Sequence, residues 1–373
     1  MFERMPSAET EWLIQYTPPV SRSSLDRVQA ILRTHQPFVP GPFLADPYDV
    51  VTYLPRQLIH REEYCLLVDR NIVTRWIGAV RGGKITPAHR AAAAVMAFAQ
   101  CADLLIEPTI AFHEVVGRMS DAEIGQEIEL FYTAEEILPT AWTKLALGQE
   151  NSLPEPAPET RRERISHDLS MPLYRWRRSY VLALKIADLQ LAGGKPEALM
   201  RLLIEWMYSD FLIGAAAVQL ASHYFAPGAP RSGLLKALYS PDRQRAIEGV
   251  RNAAWDLTLI GEWLRRARQQ LENPGENRRW ILCTLDRSVR NMADGMLSYD
   301  ESEDDLSDLI VLFSRVWRPE VAQRLATFLY KCQLDAANPS RYLNQDPKAE
   351  AIDALILEGE ERVRSWTSSG HRS

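Results

Sequence analysis

No C-x-x-C pair and no Cys/His cluster occurs in this chain of 373 residues, and its four cysteines, Cys65, Cys101, Cys283 and Cys332, lie far apart in apolar surroundings. That spacing speaks against both a zinc site and a disulfide framework, and it fits reduced, buried thiols of a cytoplasmic protein. No apolar run approaches the roughly 20 residues needed to span a bilayer. Residues 1–19 also lack a basic stretch leading into an apolar one, so neither a membrane anchor nor a signal peptide is expected. Repeats and low-complexity tracts are missing as well. Positive charge is not in excess: the formal net charge is −6, which excludes a uniformly basic nucleic-acid binder but not one with a local basic stripe. With 46% hydrophobic and 25% charged residues the composition is that of a globular protein, long enough for one large core or two ordinary domains.

The chain is punctuated in blocks. Residues 1–60 are proline-rich with one evident helix near 24–33, and they carry Trp12, Phe38, Phe43 and Tyr53, as an arm wrapped over a body would. In residues 61–119 short apolar runs at 64–68 and 104–106 alternate with helical stretches at about 71–80, 87–101 and around Glu114. That is the pattern of a parallel α/β unit whose strands are buried on both faces. Residues 120–240 read as almost entirely helical, with stretches at 174–191 and 196–223, broken by the Pro/Glu-rich segment 153–158 and by Gly193-Gly194. In residues 241–315 the α/β pattern resumes: one long or two broken helices over 241–271, a buried run at 280–283, a helix at 288–296, and an apolar run at 309–313 that suits a fourth strand or a helix. Residues 316–373 hold two amphipathic helices, about 319–336 and 347–366. The expected fold class is therefore α/β, a parallel-sheet core interrupted by an all-helical insertion long enough to be a subdomain and followed by a helical tail.

Ligands of open parallel sheets bind beyond the carboxyl ends of the strands. Asp69 follows the run 64–68 and Asp286 lies just past 280–283. Glu114 sits one helix after 104–106, and Asp256 lies amid Trp255, Leu257 and Leu259 on the helix leading to the third run. Four carboxylates gathered in one cleft would repel one another, raise some of their own pKa values and destabilise the fold. A hard divalent ion, Mg²⁺ or Mn²⁺, relieves that repulsion, and such ions are held by a few carboxylates with water and phosphate completing the shell. The chemistry this predicts is activation of water and stabilisation of a leaving oxygen in phosphodiester hydrolysis.

These residues, Asp69-Arg-Asn71 after an apolar strand, a helical Glu114, Ala253-Ala-Trp-Asp256 in an apolar helix and Thr284-Leu-Asp286 after another strand, together resemble the PIN-like nuclease superfamily. The resemblance covers about residues 64–118 and 251–313 and departs from the compact family pattern in the helical block between Glu114 and Asp256. It implies a PIN-like core in which Asp69, Glu114, Asp256 and Asp286 are catalytic and bind metal, while Asn71 and Thr284 orient the aspartates. It also implies Mg²⁺- or Mn²⁺-dependent cleavage of single-stranded RNA, with structured DNA as the second substrate. Toxin, defence and RNA-processing roles are all compatible, and a regulatory protein partner or a homo-oligomer stays open.

Each residue has a plainer role to set against this one. Asp69 and Asp286 suit helix N-caps; Asp256 suits a buried structural acid; Glu107, at the end of the second run, rivals Glu114; Asp294 lies within reach of the same region. The acidic run 300–305 reads as a solvated loop. Basic clusters occur at 161–164, 175–178 and 264–268, and Arg175, Arg177 and Arg178, beside Trp176 and Tyr180, form the best candidate for a backbone-binding stripe with base stacking. Arg162 and His167 have the Arg-polar-x-x-x-His spacing of the metal-independent HEPN ribonucleases, a rival chemistry. A non-catalytic interaction scaffold on the same core is the remaining alternative.

Overall fold

The computed structural model describes residues 17–41, 44–155, 169, 173–228, 233–273, 275–294, 296, 305–336 and 348–367. In chain order the elements are α1 (Arg22–His35), β1 (Phe38–Val39), α2 (Val50–His60), β2 (Glu63–Val68), α3 (Arg70–Val80), α4 (Pro87–Cys101), β3 (Leu105–Glu107), α5 (Thr109–His113), α6 (Asp121–Glu136) and α7 (Pro139–Ala146). There follow α8 (Tyr174–Ala192), α9 (Pro196–Ser209), α10 (Ala215–Phe225), α11 (Arg243–Glu272), β4 (Arg278–Cys283), α12 (Arg287–Ala293), α13 (Asp305–Ser314), α14 (Pro319–Ala336) and α15 (Ala349–Ser365). The protein is mostly helical around one small mixed sheet. No helix among the described residues is long and apolar enough to cross a membrane.

The sheet has the order β1-β4-β2-β3. β2 runs parallel to both β3 and β4, with Cys65 opposite Leu105 and the full run from Glu63 opposite Arg278 to Val68 opposite Cys283. β1 closes the β4 edge in the antiparallel sense. Successive strand residues point to opposite faces, and both faces are covered. Tyr64, Leu66, Val68, Ile281 and Cys283 join a core with α1, α3, α4, α6 and α7. Cys65, Leu67, Trp280 and Leu282 join another with α8, α9, α10, α11 and the C-terminal helices. The result is a three-layer α/β/α arrangement, and it explains why the strands read as unbroken apolar runs rather than alternating ones.

Several expectations are corrected. The proline-rich start contributes more than one helix: it supplies the edge strand β1 and the helix α2, which contains Pro55. Packing outweighs the proline there, since Tyr53 is fully buried, meets Tyr64 edge-to-face at 4.9 Å and donates to the Pro47 carbonyl at 2.7 Å. The run 309–313 is helix, not strand: Leu306, Leu309, Ile310 and Phe313 share the one face that meets the core, while Val311 is 63% exposed. The stretch 196–223 divides into α9 and α10, because Gly214 caps the second helix and the chain turns at Phe211, stacked on Trp206. The block 120–240 does not stand as one unit either. Its first helices, α6 and α7, pack against α3 and α4 on one face of the sheet, while α8 packs on α11 across the other. The two tail helices form much as expected, α14 against α9 and α13, and α15 against α8 and α11.

Candidate functional site

The parallel pairing of β2 with β4 decides where the strand-end residues meet. The Asp69 N–H donates to the Cys283 carbonyl at 2.9 Å, extending the ladder one step past the strand and bringing Thr284 beside Asp69. The Thr284 hydroxyl, whose residue is 1% exposed, donates to Asp69 Oδ2 at 2.5 Å and accepts the Asp286 N–H at 3.0 Å. Asn71 donates through Nδ2 to Asp69 Oδ2 and to Thr284 Oγ1, and its Oδ1 accepts the Leu285 N–H at 3.2 Å. Asn71 and Thr284 thus lock the two strand ends together and fix the Asp69 carboxylate. Both aspartates also cap helices, Asp69 the start of α3 and Asp286 the start of α12, where Ser288 N–H donates to it at 2.8 Å. The plainer N-cap role is therefore real for both, and it does not use up their oxygens.

Glu114 is the C-cap of the five-residue α5, and Asp256 sits near the middle of the 30-residue α11. Neither side chain receives a hydrogen bond or ion pair among the described residues. Burial raises the Asp256 carboxyl well above the usual range, and the charges of Asp69, Asp286 and Glu114 raise it further. Burial followed by the charge of Asp69 pushes Glu114 up to about 7, against the pull of Arg118, Arg70 and Lys236. Asp69 is raised by burial and by Asp286, although its hydrogen bonds from Thr284 and Asn71 work the other way. All four acids keep part of their surface open to water. Asp69, Glu114 and Asp256 are thus desolvated and, with Asp286, act on one another electrostatically while each keeps partial exposure.

The arrangement is not a finished metal cage. Among the described residues, no group of three or more His, Cys, Asp or Glu side chains is placed to hold a metal ion. The donor chemistry nevertheless fits Mg²⁺ or Mn²⁺, because such ions take one or two carboxylates directly and keep water or phosphate in the remaining positions. Two carboxylates without donors are the groups such an ion would neutralise.

The chain matches no family model, no curated protein and no solved structure. Its site must be read from its own geometry.

The rival acids lie elsewhere. Glu107 faces another cleft, lined with Arg265, Arg266, Arg278 and Trp280, lies 3.9 Å from Arg266 and accepts the Thr109 N–H at 3.0 Å. Asp294 is 71% exposed and pairs with Arg315 at 3.4 Å. The arginines read as a nucleic-acid stripe have partners within the chain. Arg175 joins Arg265 and Arg266 around the buried Glu262, Arg177 pairs with Asp353, and Arg178 lies 4.3 Å over the Tyr174 ring. Burial alone would raise the Glu262 carboxyl, but hydrogen bonds from Arg265 and Arg266 bring it down to about 2. Trp176 stacks between Tyr180 and Trp255 at 5.1 and 5.4 Å, so this aromatic surface is engaged internally. The cluster 161–164 and the Arg162/His167 pair lie outside the described residues, as do positions 300–304 of the acidic run.

Residues not singled out from the sequence also bear on the cleft. Lys236 Nζ stands 3.7 Å from Asp286 Oδ2, Arg75 donates to the Asn71 carbonyl and its charge favours ionised Asp69, and Arg70 pairs at 2.5 Å with the buried Glu127. Nothing in the local sequence around Lys236 marks it, because its position comes from a loop fold rather than from periodicity.

Proposed function

We propose that this protein is a metal-dependent nuclease of PIN-like type, hydrolysing phosphodiester bonds in single-stranded RNA ahead of DNA. The observation that carries this reading is the pair of donorless, half-buried carboxylates, Glu114 and Asp256, facing the hydrogen-bonded pair of strand ends, Asp69 and Asp286. A structural acid of this depth is ordinarily satisfied by donors, as Glu127 and Glu262 are in this same chain. Leaving two acids unsatisfied beside two more destabilises the fold, and such strain is kept where function uses it.

Asp69 and Asp286 are the residues to hold a divalent ion, with Glu114 and Asp256 completing the site. Bound there, Mg²⁺ or Mn²⁺ lowers the pKa of a water and stabilises charge on the leaving oxygen. The chain's own contributions are positional. Thr284 and Asn71 keep Asp69 in one rotamer. Asp286, anchored as a helix cap, is aimed from β4 toward the same cleft. Glu114, without a hydrogen-bond donor of its own, is left able to accept a hydrogen bond from water.

End-labelled single-stranded RNA and the same sequence as DNA, incubated with Mn²⁺, test the assignment. Wild type is expected to cleave. Asp69→Asn and Asp286→Asn are expected to lose at least ~100-fold in rate, on the scale seen when one electrostatic element of an active site is removed. Equal cleavage by wild type and variants, or no cleavage of any nucleic acid, would remove the assignment.

A further inference from the structure

A group of four mutually interacting acids in a chain of net charge −6 repels the polyanion it is proposed to cut. Some cation must meet the phosphate at the rim. Among those acting on the acids, Arg70 is tied to Glu127, Arg75 donates to the Asn71 carbonyl and Arg118 reaches Asn252 at 3.4 Å. Lys236 is different. Its side chain is 57% exposed, and its ammonium stands 3.7 Å from Asp286, longer than a formed hydrogen bond.

The backbone goes to some length to hold it there. Leu234, Leu235 and Leu238 are buried on either side of it. Leu235 and Ala237, its two neighbours, both take left-handed conformations, with φ of 32° and 57°, which non-glycine residues adopt only where the surroundings enforce it. Two glycines provide the clearance. A Cβ on Gly249 of α11 would lie 1.7 Å from the Lys236 carbonyl oxygen, and one on Gly233, at φ +92°, would lie 2.3 Å from Ser288 Oγ. The segment is thus wedged between α11, which bears Asp256, and the start of α12, which Asp286 caps.

We infer that Lys236 is a substrate-binding residue that grips the phosphate of the nucleic-acid strand beside Asp286 and the other three acids. The inference rests on the nuclease reading and adds to it a specific contact. Before substrate arrives the ammonium rests loosely against Asp286 and partly offsets the charge of Asp256 and Glu114. Its exposed side chain can turn outward from Asp286 to a phosphate.

The test is steady-state cleavage of labelled single-stranded RNA over a range of KCl concentrations by wild type, Lys236→Met and Lys236→Arg, with Mn²⁺ affinity measured separately by electron paramagnetic resonance. Lys236→Met is expected to raise KM about 5- to 20-fold, with a smaller effect on kcat. Its dependence of log KM on log salt should be shallower by about 0.7, the share of one phosphate contact on a single strand. Lys236→Arg is expected to stay near wild type, and Mn²⁺ affinity to hold or tighten in Lys236→Met. An unchanged KM and salt slope in Lys236→Met, with wild type active, overturns the inference and leaves the nuclease reading intact. Weakened Mn²⁺ binding in that variant also overturns it, by showing that the lysine only orders Asp286. A wild type that cleaves nothing removes the nuclease reading and this contact with it.

Discussion

Asp256→Asn is expected to make the metal-free protein more stable at pH 8 while abolishing cleavage. The sign follows from the protonation states. The folded chain holds the Asp256 proton well above the pH at which the unfolded chain releases it. Stability from this group is therefore full below the ordinary aspartate range and is lost as pH rises through the elevated folded value. Asparagine is neutral throughout and has nearly the same shape. The advantage of the variant should vanish near pH 4 and grow toward pH 8. Glu114 adds a second loss of the same sign between its usual value of 4.5 and about 7, in wild type and variant alike. Thermal melts of both proteins in chelator across pH 4 to 8 check this. An asparagine variant less stable than wild type at pH 8 would mean that Asp256 is a structural acid held by donors.

Mn²⁺ is expected to do for the wild type what asparagine does for the variant. An ion that binds only the folded protein stabilises it by about 2.7 kcal/mol at 100 times its Kd, and here it would also relieve the repulsion that adds to burial in raising Asp69, Glu114 and Asp256. The rise in Tm should be greatest near pH 8 and shrink toward pH 5, where protons compete for the same oxygens. It should be largely absent in Asp69→Asn and Asp256→Asn. Equal rises in all three proteins would assign the effect to surface binding.

How much of this was legible in the sequence depends on the range of the interaction responsible. The apolar runs at 64–68 and 280–283 announced β2 and β4, because strands buried on both faces have no polar positions to interrupt them. The places of Asp69, Asn71, Thr284 and Asp286 at the strand ends followed directly, since a residue just past a parallel strand has few places to be. The edge strand β1 was not visible: two residues, Phe38 and Val39, carry no periodicity, and only pairing with Leu282 and Cys283 makes them a strand. The helix α13 was ambiguous because Leu309 to Phe313 is apolar at both helical and strand spacing, and burial of one face alone distinguishes the two. Choosing Glu114 over Glu107 needed the third dimension, for the two are close in sequence and Arg266 draws only one of them away. Lys236 was out of reach for a similar reason. Its placement depends on Gly249, thirteen positions further on, coming within contact of its carbonyl oxygen.

Anomalous scattering from a crystal soaked in Mn²⁺ tests most directly the proposal that the four carboxylates share a divalent ion. The expected result is a manganese peak in the cleft between Asp69, Glu114, Asp256 and Asp286, with at least one of the four in direct coordination and water filling the other positions. No peak there at saturating Mn²⁺, or peaks confined to exposed acids such as Asp294, would contradict it.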